Sequence, residues 1–192
     1  MDPTERRELI LTAASRAFAS RPYEEVSLAE IAEEAQASEA LVHKYFVSKA
    51  GIYAQVLQRA TDELAERTRQ ADDALPPGSS ARDRVRASIL TYLDFIAERS
   101  PGWMAYQILA GHEPGEAAQV RQAAREAAVA ALSDVVGGGQ GHRDDFAFWG
   151  YLGFLDDACL RWVRAGCPAE QRHSLVDAAL GCLEGALGDW RA

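Results

Sequence analysis

The stretch "VSLAEIAEEAQASEALVHKYFVSK", Val26 to Lys49, decides the fold, because it carries three helix starts in twenty-four residues. Ser27 and Glu30 stand in the S-x-x-E relation of a capping box, in which each side chain satisfies a backbone N–H of the other's turn. A helix starting there buries Leu28, Ile31, Ala32 and Ala35. It is short, because "QAS" brings a second cap at Ser38. From Glu39 to about Phe46 the apolar residues Leu41, Val42, Tyr45 and Phe46 follow an i, i+1, i+4, i+5 pattern, and Ser48 caps a longer helix through Ile52, Val56, Leu57, Ala60 and Leu64. Upstream, Leu9, Ile10, Ala13, Ala14, Ala17 and Phe18 repeat at helical spacing over roughly residues 4 to 20, before Pro22. Two short helices joined by about four residues after a stabilising helix form a helix-turn-helix, with the third helix as the reader.

Charge sharpens this reading. The 192-residue chain has a formal net charge of −9, which argues at first against a nucleic-acid partner. Yet no Asp or Glu occurs from Ala40 to Thr61, and the only two lysines, Lys44 and Lys49, fall inside that window with Arg59 and His43. Residues 60 to 192 carry −7 of the total, so the acidity lies mostly outside the motif. DNA would meet the local face and not the net charge.

The rest of the chain reads as helix without any strand pattern. "DDALPPGSSA", residues 72 to 81, is a linker. Helical periodicity resumes with Val85, Ile89, Leu90, Leu93 and Ile96; "SPGW" at Ser100 starts another helix that "GHEPG" stops after Leu109. An alanine-rich helix follows from Glu116, then the break "GGGQGH" at residues 137 to 142, then two helices over roughly 144–165 and 168–190. These last two are apolar almost all round. Each is therefore expected to turn one side to its own core and the other to a second subunit, through Trp149, Leu152, Leu155, Cys159, Leu180, Leu183 and Leu187. Gly150, Gly153, Gly181 and Gly185 would let backbones approach there.

From Ile10 to Tyr53 the chain resembles the TetR family of transcriptional regulators. The likeness lies in an ordered set: Ile10 with Ala13, Ala14 and Phe18; Tyr23; Ser27; Ile31 and Ala32; Ala35; Ser38; Tyr45 and Phe46; Ser48 and Lys49. It implies an all-α protein of about nine helices. A three-helix DNA-binding domain over residues 1–48 is followed by a connecting helix over about 48–70, and residues 71–192 form a larger ligand-binding and dimerisation domain. It further implies a homodimeric repressor, bound to a palindromic operator on double-stranded DNA and released by a small hydrophobic inducer. The chain departs from the pattern where glycine is usual, at Arg21 or Pro22 and at Gln36, and where tyrosine is common, at His43. If Gln36 takes the left-handed conformation that glycine tolerates, the cost is about 1–2 kcal/mol.

The residues expected at DNA are Ser27, Ser38, Glu39, Ala40, His43, Lys44, Tyr45, Ser48 and Lys49. The serines sit at helix starts, where exposed N–H groups and the positive dipole end suit a phosphate. Lys49 adds full charge, and the outward side of the third helix would reach bases and backbone. The inducer site is expected to draw on Tyr92, Phe95, Trp103, Tyr106, Gln107, His112 and Trp149, aromatic and polar groups of the C-terminal part.

Two other classes are weighed. Asp156 and Asp157 are adjacent on an aromatic-rich helix, as in all-helical Mg²⁺-dependent synthases, but Leu160 stands where a third carboxylate belongs. A helical interaction protein that has lost DNA binding would account for Glu30, Glu33 and Glu34 on the second helix and for the substituted turn. Neither the four scattered histidines nor the three cysteines have metal-ligand spacing, so no metal or cofactor is expected. With no apolar run long enough to span a bilayer and a charged N-terminus, the expected location is the cytoplasm.

Overall fold

The computed structural model describes residues 2–99, 114–137 and 141–188. Among these residues the fold is all-α, with eight α-helices and no strand. They are α1 (Pro3–Ser20), α2 (Leu28–Glu34), α3 (Glu39–Tyr45), α4 (Lys49–Asp73), α5 (Ala81–Ala97), α6 (Gly115–Val136), α7 (His142–Arg164) and α8 (Arg172–Leu187). Short 3₁₀ turns at Tyr23–Glu25 and Ala169–Gln171 precede α2 and α8. The helix expected after Ser100 lies outside the described residues, as does Trp190.

The chain divides into two compact units. The first holds residues 1–62 and 99–122, the second residues 63–98 and 123–192, so α4 and α6 each begin in the first and end in the second.

In the first unit, polar caps set where each helix begins. The Ser27 N–H donates to Glu30 Oε2 at 2.8 Å and the Glu30 N–H to Ser27 Oγ at 3.2 Å, the full capping box. Ser38 Oγ accepts from the Leu41 N–H at 3.2 Å, and Ser48 Oγ from the Gly51 N–H at 3.0 Å. Between α2 and α3 the Ala37 N–H reaches Ala32 O at 2.8 Å and the Gln36 N–H reaches Glu33 O at 3.0 Å. That is a Schellman closure, and its left-handed position is occupied by Gln36 at φ 50°. The strain foreseen for a non-glycine residue is therefore present. Arg6 offsets part of it, donating from Nη1 to Gln36 O at 3.3 Å. Beneath these turns Ile10, Ala14, Phe18, Val26, Ile31, Val42, Ile52 and Leu57 form the buried core.

The second unit is built on apolar burial. Val85, Ile89, Leu93 and Ile96 of α5 meet Phe148, Tyr151, Leu155, Cys159, Leu160 and Val163 of α7 and Val176, Ala179, Leu180 and Leu183 of α8. The α7–α8 corner closes with Gly166 at φ 84°, the Cys167 N–H on Trp162 O at 3.1 Å, and the Trp162 indole N–H on Pro168 O at 3.0 Å.

This packing corrects one expectation. Cys159, Leu180 and Leu183 are wholly buried in their own chain and Leu155 nearly so, leaving no surface for a second subunit. The cause is the pairing of α7 with α8, with α5 packed against both. The outward face lies elsewhere: Phe146 is 75% exposed, Phe154 is exposed, and Gly150, Gly153, Gly181 and Gly185 all open onto empty space. Trp149, Leu152 and Leu187 are half-buried.

Candidate nucleic-acid interface

Three helix starts and one reading helix make up the site. α3 buries Val42 and leaves Glu39, Ala40, His43 and Lys44 exposed, with Leu41 and Tyr45 half-buried at the margin. Its outer side therefore presents the four residues whose spacing pointed outward. Lys44 makes no ion pair or hydrogen bond among the described residues, so its ammonium is available to a phosphate or a guanine edge.

Lys49 is placed differently from expectation. Its ammonium donates to Tyr23 O and to Val26 O, both at 2.9 Å, and lies 4.2 Å from the centre of the Tyr23 ring. Two of its three N–H groups are thus spent inside the protein, binding the first residue of α4 to the loop that enters α2. The consequence is architectural: a single cation gathers the α2 and α4 starts, at Ser27 and Ser48, on one edge. Sequence spacing showed the charge but not this tertiary contact.

Ser27 is also engaged. Its hydroxyl donates to Glu30 Oε2 at 3.0 Å, and Glu30 in turn accepts from Arg21 Nη1 at 2.9 Å. The Arg21 guanidinium, then the Ser27 N–H and hydroxyl, hold the Glu30 carboxyl down at about 2. Ser38 is exposed and Ser48 half-buried, each with its oxygen turned to its own helix.

Two features escaped the sequence reading. Val47, between Phe46 and Ser48, is 97% exposed. As the residue before the Ser48 cap it stands where a hydrophobic staple onto Ile52 would form, and it does not form one. Arg6 and Arg7 of α1 also approach the motif: Arg6 caps the Gln36 turn, while Arg7 bonds Gln55 and lies 5.2 Å from the Phe46 ring centre. The signal for both was the "ERRE" run, read above only as part of a charged N-terminus.

In the second unit, the expected inducer residues are placed in part. Phe95 is buried. Tyr92 donates its hydroxyl to Asp156 Oδ1 at 3.5 Å, and Asp156 also pairs with Arg125. Burial, and then the Asp156 charge, push the Tyr92 phenol well above its ordinary value. Trp149 is half-buried, and Trp103, Tyr106, Gln107 and His112 lie outside the described residues.

Residues 10–56 match the model of bacterial regulatory proteins of the tetR family, the span that holds all three caps and both lysines. Over 171 residues the chain is 33% identical to the HTH-type transcriptional activator FasR of Mycolicibacterium smegmatis, covering 87% of this chain and 76% of that one. This chain belongs to the TetR family. It is a helix-turn-helix transcriptional regulator and not an enzyme. The HTH-type transcriptional regulator BetI of Brucella canis is 31% identical over 111 residues, 56% of this chain and 54% of that one. Among solved structures, a tetR-family regulator from Streptomyces coelicolor superposes with a TM-score of 0.78 at 23% identity, covering 98% of this chain and 91% of that one. FadR of Bacillus subtilis, solved in complex with stearoyl-CoA, has a TM-score of 0.72 at 17% identity, with 94% and 97% covered; both likenesses concern the TetR fold. No helix among the described residues of this TetR-family chain is long and apolar enough to cross a membrane.

Proposed function

We propose that this TetR-family regulator binds an inverted-repeat operator as a homodimer and answers to a small, largely apolar ligand. Residues 1–48 read DNA, α4 connects, and residues 71–192 hold the ligand and the subunit contact. The observation that carries the reading is the convergence of the α2 and α4 starts on Lys49, beside an α3 whose outer side is Glu39, Ala40, His43 and Lys44. Backbone N–H groups at Ser27 and Ser48 would hold phosphates, and Lys44 would reach a phosphate or a guanine edge. Val47 would lie against the sugar backbone.

The outward glycines and phenylalanines of α7 and α8 support a two-fold helical interface, because an exposed apolar face on paired helices is stable against its own copy. A long-chain acyl thioester is a first ligand to try, since the B. subtilis FadR structure holds stearoyl-CoA. The reading adopted is a repressor released by ligand. The FasR relative is an activator, and the same DNA-binding unit serves either role according to where the operator lies relative to the promoter.

Selection of bound fragments from a random duplex library tests the proposal. The expected product is an inverted repeat, with affinity that falls steeply with salt. Lys44→Ala should weaken binding and lower the salt slope by about one. A chain that enriches no sequence at low salt would leave the interaction-protein reading in its place.

A further inference from the structure

The side chains of this molecule offer an acylating reagent only two amines, because their positive charge is carried by eighteen arginines and two lysines. A guanidinium stays protonated and does not accept an acyl group at neutral pH, whereas a lysine amine does. Both lysines belong to the first unit, and the structure leaves them in opposite states. Lys44, on the outer side of α3, is exposed and makes no ion pair or hydrogen bond among the described residues. Lys49 is half-buried, donates to Tyr23 O and Val26 O at 2.9 Å each, and rests 4.2 Å from the Tyr23 ring centre.

An ammonium that spends two N–H groups on carbonyls has no lone pair with which to attack. To react, Lys49 must lose a proton and leave both carbonyls and the ring face, all of which hold a charged donor. Lys44 has no such partners to give up. Access and partners together therefore single out one side-chain amine in the chain. The other cations in the acid-free window from Ala40 to Thr61 are engaged, Lys49 by its two carbonyls and Arg59 by Glu8. If Lys44 loses its charge, that window keeps no permanent cation free of a protein partner.

We propose that Lys44 is a modification site: an activated acyl group, carried as a thioester or as an acyl phosphate, is transferred to its amine and turns a cation of the reading helix into a neutral amide. The amine, having released its ammonium proton to water, attacks the acyl carbonyl carbon. A C–N bond forms, the C–S bond of the thioester or the C–O bond to phosphate breaks with its electron pair, and the leaving group takes up the second proton from nitrogen. Nothing is oxidised or reduced. The consequence for DNA rests on the DNA-binding reading, and the selectivity between the two amines does not.

Two measurements on the full chain test it. In the first, the chain is incubated with acetyl phosphate, and separately with acetyl-CoA, and the acetylated lysines are followed over time by peptide mass spectrometry. Lys44 should be acetylated at least about tenfold faster than Lys49 in the folded chain, and the ratio should fall towards one in urea, where Lys49 loses its partners. Whichever donor reacts identifies the source of the acyl group. Equal rates in the folded chain, a faster Lys49, or no labelling of Lys44 by either donor overturns the proposal. The second measurement is affinity for the selected operator. Acetylation at Lys44 should weaken binding by about tenfold and lower the salt slope by about one for each Lys44 at the DNA. Operator in excess, added before the donor, should slow labelling of Lys44. Lys44→Gln, which carries a neutral amide, should match the acetylated chain, and Lys44→Arg, whatever its own affinity, should bind the same before and after treatment. An acetylated chain that binds as tightly as the untreated one also overturns the proposal. If the chain selects no duplex, the DNA-binding reading fails by itself, and the labelling ratio alone decides whether Lys44 is the acceptor.

Discussion

Both units bury an apolar core, and they differ in how much directed polar bonding is added to it. In the first, three serine caps, the Glu30 carboxylate and the Lys49 ammonium place short helices by directed polar bonds. In the second, α5, α7 and α8 meet through an apolar core in which Ile89, Leu93, Cys159, Val176, Leu180 and Leu183 are all but completely buried. Directed bonds fix orientation at low energy each, and area burial supplies stability with little direction. A unit that must present N–H groups and one helix face to a partner needs the first kind.

The largest expected effect breaks the second unit. Leu180→Ala removes a wholly buried side chain from the α5–α7–α8 core and should cost about 2–5 kcal/mol, read from a urea unfolding curve. A loss below 1 kcal/mol would mean that the core relaxes around the site and is less closely packed than its burial indicates.

Lys49→Met tests the contrast from the other side. It keeps the aliphatic stem and removes two charged-donor hydrogen bonds and the contact with the Tyr23 ring. The expected stability loss is about 2 kcal/mol, smaller than for Leu180→Ala, because the site is only part-buried and water reaches the two carbonyls left without a donor. Operator affinity should fall much further than stability does, since the α2 and α4 starts lose their common tie. If Lys49→Arg binds DNA normally but Lys49→Met does not, charge at this position matters more than its fit to two carbonyls. If both fail, the two-carbonyl geometry is what counts.

The same contrast explains what could be read from sequence. Ser27, Ser38 and Ser48 were legible as helix starts because a cap acts within three residues of itself, and the left-handed Gln36 was legible through the family resemblance, because glycine is usual at that turn. Lys49 was legible only as a charge. Its partners Tyr23 and Val26 are more than twenty positions away, and only folding brings those carbonyls to it. On α7 and α8 the periodicity showed apolar faces almost all round, so nothing local could say which side the two helices would turn to each other and to α5. The side assigned to a second subunit through Leu155, Cys159, Leu180 and Leu183 is the one this chain buries itself. Val47 was passed over because an apolar residue beside a cap ordinarily folds inward, and here it does not.

The smallest expected effect is a pH dependence confined to the first unit. The Glu30 carboxyl lies at about 2, held there first by Arg21 and then by Ser27, against roughly 4.3 in an unfolded chain. A folded value below the unfolded one means the carboxylate form stabilises α2, so the contribution is complete above about pH 5 and disappears as pH falls towards 2. The group is exposed, so solvent and salt screen most of it, and the change should be modest and smaller at high ionic strength. Comparing wild type with Glu30→Gln isolates it: the stability difference between the two should be flat from pH 5 to 8 and shrink below pH 4.5. A difference that instead grows on acidification would mean that Glu30 is held as the neutral acid, and that the capping box at Ser27 works through a shared proton and not through charge. Since Ser27 is one of the two starts that Lys49 gathers, that outcome would also move the positive edge of the reading unit away from α2 and towards α4 alone.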